Sequence, residues 1–206
     1  MASKALSKRP GELPPPHPEL PLQSPLLFTL RKGETLVRHH LLGLDPIFFG
    51  TTGSNRFDDP SCNYGVLYAA ADAHGAFIES CSISASAPAV TGTYLDQRAL
   101  AHLELTEDLV FIDLFETGGL RRIGADSRLF AGEHAVAQLW SAALRGHPSK
   151  PAGIRYPARH DHMRAAYGIF SRSPSSFKVS SIGSLMLPSN RALLNDILAT
   201  YDVALV

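Results

Sequence analysis

The sequence has few cysteines and no long apolar run. Its 206 residues include two cysteines, Cys62 and Cys81, which form neither a disulfide framework nor a CxxC pair and so indicate a reducing compartment. No stretch approaches the roughly 18 apolar residues of a membrane-spanning helix. No apolar run follows the basic N-terminal residues, as a signal peptide would require. We therefore expect a soluble, cytoplasmic protein with no membrane association.

An excess of charge of either sign is also lacking. The 19 Lys and Arg residues balance the 19 Asp and Glu residues, which argues against a protein that binds nucleic acid mainly through the phosphate backbone. The balance is not uniform along the chain. Residues 96–133 carry eight acids and four arginines, whereas residues 145–191 carry eight bases and one acid. The basic segment could hold a small anion, and the acidic segment is a candidate surface for a partner.

The common motifs of nucleotide, hydrolase and metal sites are absent. The chain has no GxxxxGK[ST], GxGxxG, GxSxG or HExxH motif and no EF-hand loop. His160 and His162 would share a face on a strand, but no cysteine or carboxylate cluster completes a metal site, so we expect no metal. A nucleophilic Cys62 would need a demonstrable partner, and the sequence identifies none.

Proline is concentrated at the N-terminus. Seven of the 15 prolines lie in residues 1–25, and proline fixes φ and donates no backbone hydrogen bond. We predict that the proline-rich stretch at residues 11–25 is extended and lacks regular structure, as a tail lying over the domain or as a proline-rich ligand. Residues 1–32 are then a proline-rich N-terminal extension. The predicted domain then spans residues 33–206.

The rest of the chain predicts a single α+β domain with mixed or antiparallel sheets and flanking helices. Strands are expected at 35–40, 65–70, 100–105, 109–114, 153–158, 165–170 and 177–185. Helices are expected after Asp72, which can cap one, at 132–145, and at 190–200. Strands outnumber long helices without strict βαβ alternation, which favours α+β.

Three side chains stand out in the block from Phe48 to Glu79. Arg56 lies in a glycine-bearing loop, Tyr68 lies near the end of a strand, and Glu79 lies on the following helix. Arg56 could simply tie down its loop, and Tyr68 could simply pack in the strand, and both roles are ordinary. Glu79 is less so, because a carboxylate in the most apolar part of its helix is costly without a partner such as an arginine.

This block resembles the RES domain, a family named for an Arg, a Glu and a Ser. The matching residues are Arg56-Phe57-Asp58-Asp59-Pro60, then Gly65-Val66-Leu67-Tyr68-Ala69, then Ala76-Phe77-Ile78-Glu79. LVRHH resembles the family's first strand with Arg38, AVAQLWSAAL its helix, and GIRYPARHD and AAYGIF its later strands. The resemblance covers about residues 33–172. The chain departs from the family at Ala158, where the serine is expected.

The resemblance implies a fold like that of ADP-ribosyltransferases and a toxin of a bacterial toxin–antitoxin module that consumes NAD+. It implies catalytic roles for Glu79, Arg56 and Tyr68, and binding of NAD+ by Arg56, Tyr68, Arg38 and Arg159. An antitoxin with a helix-turn-helix domain is the implied partner, and a homodimer is a further expectation. Two alternatives stay open: transfer of ADP-ribose to a specific protein, and a degenerate domain that only binds a partner.

The chemistry of NAD+ cleavage suits these residue types. Nicotinamide leaves as a neutral molecule, so the barrier lies in the positive charge that develops on the ribose, which a fixed carboxylate stabilises. Forked arginine donors bind a diphosphate, and an aromatic face can stack on nicotinamide. The attacking group could be water, phosphate or a protein side chain. A basic wall from Arg155, Arg159 or Arg164 would suit phosphate or the diphosphate.

Overall fold

The computed structural model describes residues 13–81, 83, 87–172 and 176–206. Its strands are β1 (Leu27–Leu30), β2 (Thr35–Leu41), β3 (Val66–Ala70), β4 (Ala89–Val90), β5 (Arg98–Leu105), β6 (Leu109–Asp113), β7 (Gly153–Ala158), β8 (Asp161–Phe170), β9 (Phe177–Gly183) and β10 (Ala204–Leu205). Its α-helices are α1 (Ala73–Ser80), α2 (Gly92–Asp96), α3 (Gly119–Arg122), α4 (Arg128–Ala131), α5 (His134–Arg145) and α6 (Arg191–Tyr201).

Eight strands form one sheet in the order β1-β6-β7-β8-β3-β2-β5-β9. Every neighbouring pair is antiparallel except β6 and β7, which are parallel. A parallel pair needs a long crossover, and here helices α3, α4 and α5 lie within it. The expected α+β fold, with a mixed sheet and flanking helices, is confirmed.

Helix α1 begins where the sequence predicts. The side chain of Asp72 accepts a hydrogen bond from the backbone N–H of Gly75 at 2.8 Å, which satisfies one of the free donors of the first turn. Ala76, Phe77 and Ile78 are buried, and Phe77 is fully so. Glu79 is exposed, so the packing of α1 against the sheet leaves this carboxylate accessible.

The core lies on both faces of the sheet. One cluster contains Phe57, Trp140, Tyr156 and Phe170, and a second contains Leu67, Phe111 and other residues from the opposite face of the same strands. Strands that are covered on both faces carry near-continuous apolar runs. The stretch LVFID in β6 shows this pattern.

The N-terminal segment packs against the domain. Strand β1 pairs with β6, Leu13 and Leu20 are buried, and the indole Nε1 of Trp140 donates to the Pro14 carbonyl at 2.9 Å. A 3₁₀ turn at Leu20–Leu22 interrupts the irregular backbone expected there, with a proline whose fixed φ suits a first helical turn. These elements precede residue 33, and a domain boundary at that residue stays a prediction.

No helix in the part of the chain that the structure describes is long and apolar enough to cross a membrane.

Candidate active site

The five side chains predicted from the sequence line one cavity. It has a volume of about 460 Å³ and lies between strands β2 and β3, helix α1, the end of β7 and the loop before β3. Arg38, Arg56, Tyr68, Glu79 and Arg159 all contribute to its wall. Residues up to 121 positions apart in the chain therefore meet at one place on the sheet.

Glu79 is held by two donors from the end of β7. Its Oε1 accepts a hydrogen bond from the backbone N–H of Arg159 at 2.5 Å, and its Oε2 accepts one from the Tyr156 hydroxyl at 3.2 Å. Burial and the nearby carboxylate raise the pKa of Tyr156 well above its usual range, so the hydroxyl stays protonated and can donate. Within the described part of the chain, the two donors that orient the carboxylate are a hydroxyl and a backbone amide rather than an arginine side chain.

The structure corrects the expectation that the Glu79 carboxylate is buried at a high cost in free energy. The apolar neighbours of Glu79 in the helix predicted a buried carboxylate, which would be unfavourable in free energy without a partner. Instead it is exposed to the cavity, because Phe77 and Ile78 point into the core and Glu79 does not. Because the carboxylate is exposed and accepts two hydrogen bonds, fixing it in this position costs little free energy.

The loop that carries Arg56 is fixed by buried polar groups. Asp58 is fully buried, and its Oδ2 accepts from the backbone N–H and the Nδ2 of Asn55. From helix α5, Gln138 Nε2 donates to the Gly53 and Asn55 carbonyls at 2.7 and 2.9 Å. A loop held by this many hydrogen bonds can present a side chain in a fixed position.

Arg56 itself reaches across to the segment before α5. Its Nη1 donates to the Gly132 carbonyl at 2.8 Å and lies 3.4 Å from the Leu129 carbonyl. Burial lowers the pKa of Arg56, and the positive charge of Arg159 lowers it further. Two guanidinium groups that repel each other in this way would be stabilised by an anion between them.

Tyr68 forms part of the cavity wall through its ring. Its hydroxyl donates to Asp58 Oδ1 at 2.9 Å and accepts from the backbone N–H of Phe57 at 3.0 Å. Burial, together with the charge of Asp58, raises the pKa of Tyr68 well above its usual range. Because the hydroxyl is hydrogen-bonded to the loop, the ring is the part of Tyr68 that is left to line the cavity.

Arg38, on β2, also contributes to the cavity wall. Its Nη1 donates to the Phe48 carbonyl at 3.0 Å, and burial lowers its pKa to about 10. Arg38 therefore keeps its positive charge at neutral pH.

Arg155 and Arg164, two of the three candidates for a basic wall, lie elsewhere. Successive residues of a strand point to opposite faces, so Arg155 lies on the face opposite Tyr156. There it pairs with Asp113 at 2.8 Å and stacks on two phenylalanine rings. Arg164 pairs with Asp72 and Asp161. Arg159 is the candidate that lines the cavity.

Ala158 is the residue that the sequence resemblance aligns with the family's serine. It is fully buried in the core at the end of β7. The hydroxyl in this region that contacts the carboxylate is that of Tyr156, two residues earlier.

Several residues of the cavity were not singled out from the sequence. The polar ones are His39, Asn55, Ser80, Arg98, His134 and Tyr156. His39 and Ser80 are chain neighbours of Arg38 and Glu79, which is a usable signal, and Tyr156 lies in the GIRYPARHD segment. Arg98 carries no sequence signal, because its position depends on the pairing of β5 with β2.

The cavity is strongly positive. Its described lining contains four arginines, Arg38, Arg56, Arg98 and Arg159, and Glu79 as its carboxylate. Such a site favours an anion with two or more charges, next to which a single carboxylate is fixed.

Comparison with known proteins places this chain in a family. The chain is 34% identical over 93 residues to the protein called "Probable toxin y4kH" of Sinorhizobium fredii, an alignment that covers 45% of this chain and 72% of the relative. Its fold matches a chain in the crystal structure of the M. tuberculosis MbcT–MbcA toxin–antitoxin complex, with a TM-score of 0.61 and 17% identity over 83% of this chain and 92% of that chain. The RES domain pattern matches residues 35–189, three quarters of the sequence. The matched range contains Arg38, Arg56, Tyr68, Glu79 and Arg159, and because the match covers most of the sequence, the chain belongs to the RES domain family.

Proposed function

We propose that this protein is the toxin of a toxin–antitoxin system and that it cleaves the bond between nicotinamide and ribose in NAD+. The observation that carries the proposal is a single cavity in which four arginines surround one carboxylate held by two donors. The names of the two similar proteins support the toxin part. Membership of the RES family supports NAD+ as the substrate.

The substrate would be bound through its diphosphate. Arg56 and Arg38 provide forked donors on the wall of the cavity, and Arg159 adds a third positive charge near Arg56. Guanidinium groups bind phosphate oxygens in pairs of hydrogen bonds. An anion among these groups also relieves the repulsion between Arg56 and Arg159.

The bond would break by loss of nicotinamide. The pair of electrons in the C–N bond goes to the positively charged ring nitrogen, which becomes neutral, and positive charge develops on the ribose. Glu79 lies open to the cavity and can stabilise this charge or hold a ribose hydroxyl. The donors from Tyr156 and Arg159 fix the carboxylate in advance, so little reorganisation accompanies the reaction.

Tyr68 would bound the nicotinamide pocket. Its ring faces the cavity while its hydroxyl is bonded to Asp58 and Phe57. An aromatic face beside a cationic pyridinium ring is favourable through its quadrupole. Loss of the positive charge weakens that contact as nicotinamide leaves, so the ring serves chiefly to position the substrate.

The ribose would then be attacked by water or by phosphate. Attack by water makes the protein an NAD+ glycohydrolase, and attack by inorganic phosphate makes it an NAD+ phosphorylase. The exposed Arg159 beside Glu79 could bind an incoming phosphate. Ala158 supplies no hydroxyl for either reaction, and we assign the hydroxyl contact with the carboxylate to Tyr156.

The proposed partner is a cognate antitoxin, which would act in the cytoplasm. The similar fold of a chain from a toxin–antitoxin complex supports this partner. We expect an antitoxin encoded beside this chain to copurify with it and to suppress its activity.

The test is product analysis with antitoxin-free protein. NAD+ is incubated with and without inorganic phosphate, and nicotinamide, ADP-ribose and ADP-ribose phosphate are separated by chromatography. Glu79→Gln should slow nicotinamide release by about 100-fold or more, and the matched control Glu104→Gln, on the exposed face of β5, should release it at the wild-type rate. Full release in Glu79→Gln contradicts the assignment. Labelled NAD+ that marks one cellular protein without bulk NAD+ loss would instead indicate ADP-ribosyl transfer.

A further inference from the structure

A second cavity adjoins the one that contains Glu79. It has a volume of about 530 Å³ and is lined by helix α4, the start of α5 and Leu13 of the N-terminal segment. Arg56, His134 and Arg159 line both cavities, whereas Glu79 lines the first one. The two cavities therefore share a wall that contains two arginines, and the proposed reaction uses the space on one side of it.

Arg56 links the two cavities. Its Nη1 donates to the carbonyl of Gly132, which lines the second cavity. Its contact with the Leu129 carbonyl also uses Nη1, and a guanidinium has two further nitrogens that can donate to an anion. The charges of Arg159 and Glu79 both act on Arg56, so these groups lie within electrostatic range of it. An anion bound to Arg56 and Arg159 would therefore lie at the boundary between the cavities.

The second cavity combines apolar surface with a carboxylate. Ala131 is exposed and Val136 is half-buried, and both line the cavity. Glu133 is also exposed, and its side chain makes no capping hydrogen bond at the start of α5. The guanidinium of Arg128, by contrast, is bound to the Asp126 carboxylate at 2.9 and 2.6 Å. Beyond Arg56 and Arg159, the cavity thus suits an uncharged ring with hydroxyl or amino donors rather than a further anion.

We propose that the second cavity binds the adenosine half of NAD+. The diphosphate lies between Arg56 and Arg159, the adenine contacts the apolar surface, and a hydroxyl of the adenosine ribose donates to Glu133. The inference rests on the proposed function: with the nicotinamide ribose at Glu79 and the diphosphate at Arg56, the other half of the dinucleotide lies beyond Arg56. A carboxylate that accepts from this ribose also serves other dinucleotide-binding folds, and it repels the 2′-phosphate of NADP+.

The first experiment compares NAD+ with nicotinamide mononucleotide, which has the same bond to nicotinamide but lacks the adenylate half. Ala131→Trp fills the second cavity and should lower the preference for NAD+, as the ratio of kcat/KM values, by about 10-fold or more, because binding energy remote from the reacting bond is lost. The matched control Ala135→Trp places the same ring at an exposed position of α5 that lines neither cavity, and it should keep the wild-type preference. An unchanged preference in Ala131→Trp overturns the inference.

The second experiment tests the contact of Glu133 with the ribose. The wild-type protein should prefer NAD+ over NADP+ by about 10-fold or more in kcat/KM, since a 2′-phosphate would face the carboxylate. Glu133→Gln removes the charge but keeps an acceptor, so most of this preference should be lost while turnover of NAD+ continues. The control Glu104→Gln, which lines neither cavity, should keep the preference. Equal use of NAD+ and NADP+ by the wild-type protein, or a preference that survives in Glu133→Gln, contradicts the contact.

Failure of the proposed function can be recognised separately. Binding of ADP, which contains the adenosine and the diphosphate but no bond to nicotinamide, is measured by calorimetry alongside turnover. If the wild-type protein releases no nicotinamide but binds ADP, and Ala131→Trp weakens this binding while Ala135→Trp does not, the reaction is wrong and the adenosine site holds. Release of nicotinamide from NAD+ together with equal ADP binding by wild type and Ala131→Trp contradicts the adenosine site alone.

Discussion

Replacing Tyr156 by phenylalanine tests whether a prearranged carboxylate matters for the reaction. The change removes the hydroxyl that donates to Glu79 Oε2 at 3.2 Å and keeps the ring, which packs against Phe57 with centroids 4.8 Å apart. The backbone N–H of Arg159 still holds Oε1. The carboxylate therefore keeps one of its two donors and can rotate about the other.

The expected magnitude follows from the type of hydrogen bond. A hydrogen bond to a charged group contributes about 1.5–3 kcal/mol, and each 1.4 kcal/mol corresponds to a factor of about ten in rate. If the hydroxyl serves to orient Glu79, kcat for nicotinamide release should fall between about 10-fold and 100-fold. KM for NAD+ should change little, since the diphosphate contacts are intact.

The assay is steady-state nicotinamide release, with thermal unfolding measured in parallel. The matched control is Tyr64→Phe, another buried tyrosine that packs against Phe170 and does not line the cavity; its kcat should equal that of wild type. In a Glu79→Gln background, Tyr156→Phe should have no further effect, since the two residues act through one contact. An unchanged kcat in Tyr156→Phe would refute the reasoning.

Three other outcomes follow from the same structure. Glu79→Gln should lower kcat by about 100-fold or more while leaving the melting temperature nearly unchanged, because the side chain is exposed; kinetics and calorimetry check both. Trp140→Phe should lower the free energy of unfolding by about 2 kcal/mol, since it leaves a small void and frees the Pro14 carbonyl; urea unfolding measures the loss. Because burial lowers the pKa of His39 from 6.5 to about 3, only the unfolded chain binds its proton between these values. The free energy of unfolding should therefore decrease as the pH is lowered below 6.5, and His39 should account for at most about 1.4 kcal/mol of this decrease per pH unit. In unfolding experiments at pH 5.5 and 7, His39→Phe should lack this contribution to the pH dependence.

The amino-acid sequence by itself determined the local elements and the key residue types. The cap at Asp72 and the apolar residues after it predicted helix α1, and the apolar runs predicted strands such as β6. These features depend on neighbours within a few residues, for which periodicity and capping are sufficient. The order of Arg56, Tyr68 and Glu79 along the chain likewise carried the family resemblance without any knowledge of their distances.

The tertiary structure decided which partners these residues have. The donors to Glu79 come from Tyr156 and Arg159, 77 and 80 residues further along the chain, and they reach the carboxylate because β7 ends beside α1. Arg155 and Arg159 look equally suitable in the sequence. The strand places Arg155 on the opposite face against Asp113, whereas Arg159, just after β7, lines the cavity.

The same distinction applies to His39 and to the N-terminal segment. Nothing local marks His39 as a neutral side chain, since its lowered pKa comes from burial and from the charge of Arg98 on a neighbouring strand. Proline content indicated an irregular N-terminus, yet Leu27–Leu30 pairs with β6, because an exposed sheet edge offers hydrogen bonds to any nearby extended segment. Sequence periodicity specifies which elements form, whereas the order of the strands determines which side chains meet in the cavity.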